Sequence, residues 1–183
     1  MNKIISIILL MIALVSCNRD DDFLPPPDRG YWGECSVLKN GQNWTPKIVA
    51  LDATRDWPGI YGIEMATYDQ YNIIRQTFSI FGLPLNTRGK MLINEQNAQL
   101  IKAGRISAFY NTVIEDGDVV GDAFLLDTLS HNYIDITEIK GNEIKGTFDI
   151  TFLRDTTRPK YLESSDTLRF IDGKFHTRII KAK

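Results

Sequence analysis

From residue 31 onwards, apolar and polar residues alternate in short runs that end at turn-forming residues. Alternation with a period of two, in runs rich in Ile, Val, Phe, Thr and Tyr, is typical of β-strands with one buried face. The clearest run is EIKGTFDITF (143–152). At Gly146 the pattern predicts close approach by another backbone or a large side chain. The predicted inward residues are Ile144, Gly146, Phe148, Ile150 and Phe152, and the outward ones are Lys145, Thr147, Asp149 and Thr151.

A second clear run, LRFIDGKFHTRI, lies near the C-terminus and contains an Asp-Gly pair. Asp172-Gly173 matches the signal for a two-residue hairpin with a type I′ turn. Such a turn would place Phe170 opposite Phe175 and Arg169 opposite His176. The aromatic pair would help to fix the register of the two strands.

YIDITEIKGNEI predicts a further hairpin, with its turn at Gly141-Asn142. The alternation of its first strand is imperfect, because Ile139 is one residue out of phase with Ile136. A bulge near Thr137 and Glu138 would restore the alternation, so we predict one there.

Turn signals at Asn40-Gly41 and Asp116-Gly117 separate further predicted strands. Only residues 94–102 (NEQNAQLIK) lack alternation and favour a short helix. Nine or ten strands and at most one short helix predict an all-β fold, either an antiparallel two-sheet β-sandwich or a partly closed barrel. The remaining predicted strands are 34–38, 44–51, 59–67, 72–83, 106–114 and 119–126.

The N-terminus has a different pattern, typical of a secretory signal peptide: Lys3, then an apolar core from Ile4 to Val15 that only Ser6 interrupts, then the small residue Ser16. The run is too short for a membrane-spanning helix, which needs about 20 apolar residues. Leu14-Val15-Ser16-Cys17 resembles the lipobox of bacterial lipoproteins. The resemblance implies a signal peptide at 1–16, cleavage before Cys17 and acylation of its thiol. The alternative is an ordinary signal peptide with a chance cysteine.

An acidic run, Asp20, Asp21 and Asp22, follows the lipobox. It resembles the export signal that sends lipoproteins of the Bacteroidetes to the outer face of the outer membrane. The alternative is a solvated tether, because a block of like charges repels itself. Three prolines at 25–27 extend this segment as a stiff spacer. We therefore expect a lipidated, disordered tether at 17–30 and a single β domain at 31–183.

Three segments, NGQNW (40–44), EIKGTFDITF and LRFIDGKF, are similar to small lipoproteins of the Bacteroidetes. The C-terminal meander of those proteins carries the same Gly-Thr-Phe strand and the same Asp-Gly hairpin before a Phe. The resemblance covers the first strand pair and the last third of the chain. It implies a β-rich surface domain, and it supplies no catalytic residue.

The net charge argues against one class of partner, and the cysteine content limits the disulfide bonds that the chain can form. The formal net charge is −2, and no basic stripe is present to neutralise phosphates, which argues against a nucleic-acid partner. The chain has two cysteines. If Cys17 is acylated, Cys35 has no disulfide partner, so we expect Cys35 to be a small buried apolar residue.

Signatures of known enzyme classes are missing from the sequence, including a GxSxG elbow, an HExxH motif and a Gly-rich phosphate loop. The two histidines are His131, in a predicted turn, and His176, in a predicted strand. We expect His176 to be a solvated cross-strand neighbour rather than a base. The sequence predicts no enzyme, no catalytic residue and no cofactor; a carboxylate pair unmarked by spacing stays open.

The segment IEDGDVVGD gathers Glu115, Asp116, Asp118 and Asp122. Calcium prefers several oxygen ligands, so Asp116, Asp118 and Asp122 form a weak calcium candidate. Their order does not match an EF-hand loop, and a solvated hairpin tip is the competing interpretation.

Aromatic residues cluster in RDWPGIYGIEMATYDQYN. Aromatic rings with polar neighbours are typical of glycan-binding sites, whereas aromatic filling of a β core is the competing interpretation. The long polar loop RDTTRPKYLESSD (154–166) is a second candidate contact surface. The candidate ligand-binding residues are Trp57, Tyr61, Tyr68, Tyr71, Arg55 and Asp56.

Three segments resemble the acceptor for O-glycosylation in the Bacteroidetes, which is Asp, then Ser or Thr, then a small or apolar residue. They begin at Asp127, Asp155 and Asp166. The resemblance implies glycans on Thr128, Thr156 and Thr167, all of which are predicted to lie at the surface.

The expected function is that of a surface-exposed outer-membrane lipoprotein acting as a non-catalytic binding module for a glycan or a protein. One alternative is a structural or envelope-assembly lipoprotein, and a weaker one is a lipocalin-like carrier of an apolar ligand. A solvent-exposed row of Trp57, Tyr61 and Tyr68 would favour binding. Burial of all three, with a contiguous apolar patch elsewhere outside, would favour assembly.

Overall fold

A computed structural model of the protein describes residues 30–53, 57–96, 105–163 and 165–181. These residues form eleven β-strands, which confirms the all-β class. Within these ranges no helix is long and apolar enough to cross a membrane. The strands are β1 (Gly33–Lys39), β2 (Gln42–Trp44), β3 (Lys47–Asp52), β4 (Ile60–Tyr68), β5 (Ile74–Pro84), β6 (Gly89–Leu92), β7 (Ser107–Ile114), β8 (Val119–Leu126), β9 (Tyr133–Lys140), β10 (Glu143–Arg154) and β11 (Thr167–Lys181).

The strands belong to one sheet, in the order β2-β1-β11-β3-β4-β5-β7-β8-β10-β9-β6. Because β10 also pairs with β11, the seven strands from β11 to β10 in this order close into a ring. β1 and β2 extend from β11, and β9 and β6 extend from β10. The ring agrees with the predicted sandwich or partly closed barrel. Two details differ: eleven strands replace nine or ten, and β3 runs parallel to β11.

Aromatic side chains fill the interior of the ring. The ring centroid of Phe78 on β5 lies 5.2 Å from that of Phe152 on β10 and 4.8 Å from that of Phe170 on β11. Tyr110 on β7 lies 5.4 Å from Phe170. Side chains of strands on different sides of the ring therefore meet at its centre, as in other small closed sheets.

The predicted alternation of β10 is confirmed. Its inward residues are buried, and Lys145 and Leu153 are exposed on the other face. A Cβ at Gly146 would lie 2.4 Å from the carbonyl oxygen of Asp135 and 2.7 Å from the ring of Phe175. The predicted close approach of a backbone and a large side chain is therefore present.

The predicted bulge in β9 is also confirmed. Lys145 pairs with Glu138, but the next residue, Gly146, pairs with Ile136. Thr137 is therefore the extra residue, and it is one of the two residues, Thr137 and Glu138, near which the sequence predicts the bulge.

The predicted Asp172-Gly173 hairpin is wrong. β11 continues through this pair, and Phe170 lies opposite Ile150 whereas Phe175 lies opposite Gly146. Asp172 has a φ of 55°, and the registers of β11 with both β1 and β10 shift at this point. The Asp-Gly pair forms a bulge because β1 and β10 pair with β11 on both sides of it.

Two other local predictions are also corrected. His176 pairs with Glu34 and Lys145 rather than with Arg169, and its Nε2 lies 3.0 Å from a carboxylate oxygen of Glu143. The predicted strand 44–51 is interrupted at Thr45-Pro46, because proline has no N–H to donate to a neighbouring strand.

Two further predictions concern Cys35 and the helix at 94–102. Cys35 is buried, as predicted, and its Sγ lies 3.6 Å from the Sδ of Met65. Burial raises the pKa of its thiol to about 12. Residues 97–104 lie outside the described residues, and Glu95 forms an isolated bridge with Ser107 rather than a helical turn.

Candidate functional site at one end of the ring

The predicted aromatic site is not assembled by the fold. Trp57 is 41% exposed just before β4, and Tyr71 is 56% exposed just after it. β4 has nine residues, so these two rings are separated by roughly 30 Å of strand. Between them, Tyr61 is buried in the core. The exposed row that would favour binding at these residues is therefore absent.

Tyr68 has a structural role. Its hydroxyl donates to the hydroxyl of Tyr31 at 2.9 Å, and Tyr31 in turn donates to Glu64 at 2.9 Å. The ammonium of Lys47 lies 4.7 Å from the centre of the Tyr68 ring. Burial and the bond to Tyr68 raise the pKa of Tyr31. These contacts fix the start of the domain against β4.

Several predicted residues lie outside the described residues: Cys17, Asp20, Asp21, Asp22, Arg55 and Asp56.

The predicted calcium set is wrong in one member. Glu115, Asp116 and Asp118 are exposed and close together, and a hydrogen bond from Asp116 raises the pKa of Asp118. Asp122 is 1% exposed, and its carboxylate binds the loop between β10 and β11 instead. The fold therefore does not bring the three predicted ligands together, and Glu115, Asp116 and Asp118 form an exposed acidic group at the turn between β7 and β8.

Asp122 anchors the loop between β10 and β11. Its carboxylate accepts the backbone N–H groups of Tyr161, Leu162 and Glu163 at 2.8, 2.6 and 2.8 Å. Burial by itself would raise the pKa of Asp122, but the three N–H groups and Thr112 outweigh burial and lower it. Asp122 is therefore held as an anion, and it fixes the position of Glu163.

Glu163, Lys39 and Tyr110 form a partly buried polar cluster. The Lys39 ammonium donates to the Tyr110 hydroxyl at 2.7 Å and forms an ion pair with Oε1 of Glu163. The Tyr110 hydroxyl donates to the same oxygen at 3.1 Å. Burial, and next the negative charge of Glu163, raise the pKa of Tyr110. The three groups are therefore bound to one another.

This cluster borders a cavity of about 270 Å³, which we call the mouth pocket. It lies at the end of the ring where β5 and β11 begin and β10 ends. Trp44 closes the ring interior behind it: the indole lies 5.3 Å from Phe170, and its N–H donates to Gln76 at 2.6 Å. The lining residues are Lys39, Asn40, Gln42, Asn43, Trp44, Gln76, Glu163 and Ser165.

A larger groove of about 820 Å³ lies over β1, β10 and β11 and includes Lys145, Lys174 and His176. Lys145 forms an ion pair with Glu138 in which both side chains are nearly half exposed. Exposed pairs of this kind are weakened by solvent, so they are a poor basis for ligand binding. The mouth pocket, with charged side chains only 13% and 18% exposed, is the better candidate.

Sequence reasoning found only one part of this site. Glu163 lies in the long polar loop that was a candidate contact surface. Lys39 is 71 residues from Tyr110 and 124 from Glu163, so no local spacing connects them. Comparison with protein-family models, with curated proteins and with solved structures gives no significant match. The site is therefore interpreted from its own geometry.

Proposed function

We propose that this chain is an exported outer-membrane lipoprotein that displays a non-catalytic binding module for a glycan or a protein at the cell surface. The lipobox and the acidic run at 20–22 support anchoring and export. The spacer at 25–27 would hold the module away from the lipid.

The mouth pocket is the observation that carries the binding function. Ligand sites are concave and combine an apolar surface with a few placed polar groups. Here Trp44, of which only 8% is exposed, provides a small apolar surface, and amide and charged side chains surround it. The ionisable groups are engaged with one another, which favours binding over proton transfer.

Envelope assembly is a second candidate, favoured by an apolar row on the outer face of the ring. Phe109 on β7 pairs with Leu125 on β8, and Leu125 pairs with Leu153 on β10. Leu125 and Leu153 are 40% and 43% exposed, and Phe109 stacks on Phe81 at 5.3 Å. Rows of exposed apolar residues often mark protein interfaces. A lipocalin-like carrier would hold its apolar ligand inside the ring of strands. Aromatic side chains fill that interior, so the structure gives this third function no support.

The test uses the chain from residue 18 to 183 as soluble bait, on a glycan array and in capture from intact cells. We expect binding that Asn43→Ala weakens and Leu125→Ser leaves unchanged. Binding lost in Leu125→Ser and retained in Asn43→Ala would instead support assembly through the outer row.

A further inference from the structure

The mouth pocket carries one positive and one negative charge, and these two charges are paired with each other. Lys39 carries the one positive charge among the lining residues, and Glu163 carries the one negative charge. They form an ion pair, and the Tyr110 hydroxyl contacts both. Any charged ligand would therefore be attracted by one member of this ion pair and repelled by the other. It would lose its hydration water without gaining an unpaired opposite charge.

Two lining residues already make side-chain hydrogen bonds within the fold. The Asn40 amide donates to Thr167 and accepts from the N–H of Arg169. The Ser165 hydroxyl donates to the Thr167 carbonyl and accepts from its N–H. These two residues shape the wall of the pocket and offer little to a ligand.

Other polar atoms of the pocket are uncommitted within the described part of the chain. The carboxamides of Gln42 and Asn43 make no side-chain hydrogen bond there, and Gln76 uses only its oxygen, towards Trp44. Glu163 uses only Oε1. The free atoms thus include both N–H donors and oxygen acceptors, on β2, on β5 and on the loop that Asp122 fixes.

From this balance we infer that the mouth pocket binds an uncharged, hydroxyl-rich saccharide unit. Each sugar hydroxyl is both a donor and an acceptor, so it can donate to Glu163 while it accepts from an amide N–H. Charge is not needed, because the pocket has no net charge to match. This inference rests on the proposed binding function and specifies its ligand class.

The test is isothermal titration calorimetry with the full-length chain in detergent. The probes are matched oligosaccharides: galactose against galacturonate oligomers, and N-acetylglucosamine against glucosamine oligomers. We expect the neutral member of at least one pair to bind at least about tenfold more tightly than its charged partner. Asn43→Ala should weaken neutral binding about tenfold, since about one hydrogen bond is lost.

Thr147→Ala, on the outer face of β10, is the matched control and should bind as the unchanged chain does. Asn43 is exposed and makes no side-chain hydrogen bond to the described residues, so the Asn43→Ala variant should unfold at the same urea concentration as the unchanged chain. Equal or tighter binding of the charged oligomers would overturn the ligand class, and neutral binding unaffected by Asn43→Ala would overturn the site. If no saccharide binds, the inference fails; capture of a protein in the preceding experiment would still leave the binding module standing.

Discussion

At the scale of single residues, Phe148 shows how the inward face of β10 stabilises the fold. Its side chain is 1% exposed, and its ring lies 5.5 Å from that of Phe78 and 6.3 Å from that of Phe175. Gly173 leaves the space that this ring needs, because a Cβ there would lie 2.7 Å from it. Removing the aromatic ring of Phe148 would leave a cavity, because the side chains around it are held in place by other strands.

Phe148→Ala should therefore lower the free energy of unfolding by about 3–5 kcal/mol, because it removes apolar contacts and leaves a cavity. Thr147→Ala, on the opposite face of the same strand, should change it by less than about 1 kcal/mol. Urea melts of the two variants measure both values. Equal losses would show that the strand faces are assigned incorrectly.

Residues 128 and 156 are well placed for the predicted glycans. Thr128 and Thr156 are exposed, and the preceding aspartates hold each turn by accepting the N–H of Leu129 and of Thr157. Thr167 is half-buried at the start of β11. A hydroxyl must be accessible outside the cytoplasm to be modified, so Thr156 and Thr128 are better acceptors than Thr167.

We expect mass spectrometry of the protein from its native host to show sugars on the peptides that contain Thr156 and Thr128. Unmodified masses for all three peptides would refute the prediction.

At the scale of elements, one buried carboxylate, that of Asp122, accepts three consecutive backbone N–H groups of the loop between β10 and β11. Asp122→Asn would place an amide N–H₂ against backbone N–H donors, so it should lower the free energy of unfolding by about 2–4 kcal/mol. Amide exchange at residues 161–163 should accelerate as well. Asp116→Asn, in the exposed turn between β7 and β8, is the matched control and should change neither.

The same carboxylate gives the loop a pH dependence. The pKa of Asp122 is lower in the folded chain than its ordinary value of about 3.9, so the folded state binds the proton less tightly than the unfolded state does. Its contribution is complete above about pH 5 and is lost as the pH falls through the folded pKa. Urea melts between about pH 6 and about pH 2 should show a shallower acid loss in Asp122→Asn. An identical profile would contradict the role of Asp122.

The elements also show how far the sequence predicts the fold. Alternation identifies the inward residues of β10, and the phase of Ile136 and Ile139 places the bulge near Thr137 and Glu138. The Asp172-Gly173 pair was ambiguous, because a hairpin and a bulge both leave Phe170 and Phe175 facing the core. Pairing of β11 with both β1 and β10 decides between them, and such long-range pairing leaves no local signal.

The site was less predictable for the same reason. The clustering of aromatic residues in the sequence predicts a binding site between Trp57 and Tyr71. In the fold β4 separates these two residues, and the side chain of Tyr61 is buried in the core. The mouth pocket instead brings together β1, β2, β5 and a loop from the last third of the chain. Asp122 is a weak calcium candidate in the sequence because it lies close to Asp116 and Asp118 along the chain, whereas in the fold it is buried and accepts backbone N–H groups.

At the scale of the whole molecule, the ring of strands is predicted to be tethered to the membrane through a lipid on Cys17. Cys17→Ser should abolish fatty-acid labelling and leave precursor or soluble protein, because the acylated thiol is removed. Metabolic labelling with a fatty acid measures this. Labelling that persists in Cys17→Ser would refute the lipoprotein prediction.

Replacing Asp20, Asp21 and Asp22 by Ala should reduce the accessibility of the chain to protease added to intact cells, while fatty-acid labelling is retained. Equal accessibility would refute the export role of the acidic run and leave the lipid anchor unaffected.

The central claim is that ligand binds at the mouth pocket rather than at the exposed aromatic residues around β4. The most direct measurement is NMR of the indole N–H groups during titration with the tightest neutral oligosaccharide. The chain has three tryptophans, and Trp44 alone lines the mouth pocket. We expect the indole N–H resonance of Trp44 to shift in proportion to the bound ligand and that of Trp57 to stay unchanged. A shift of Trp57 with an unchanged Trp44 would contradict it.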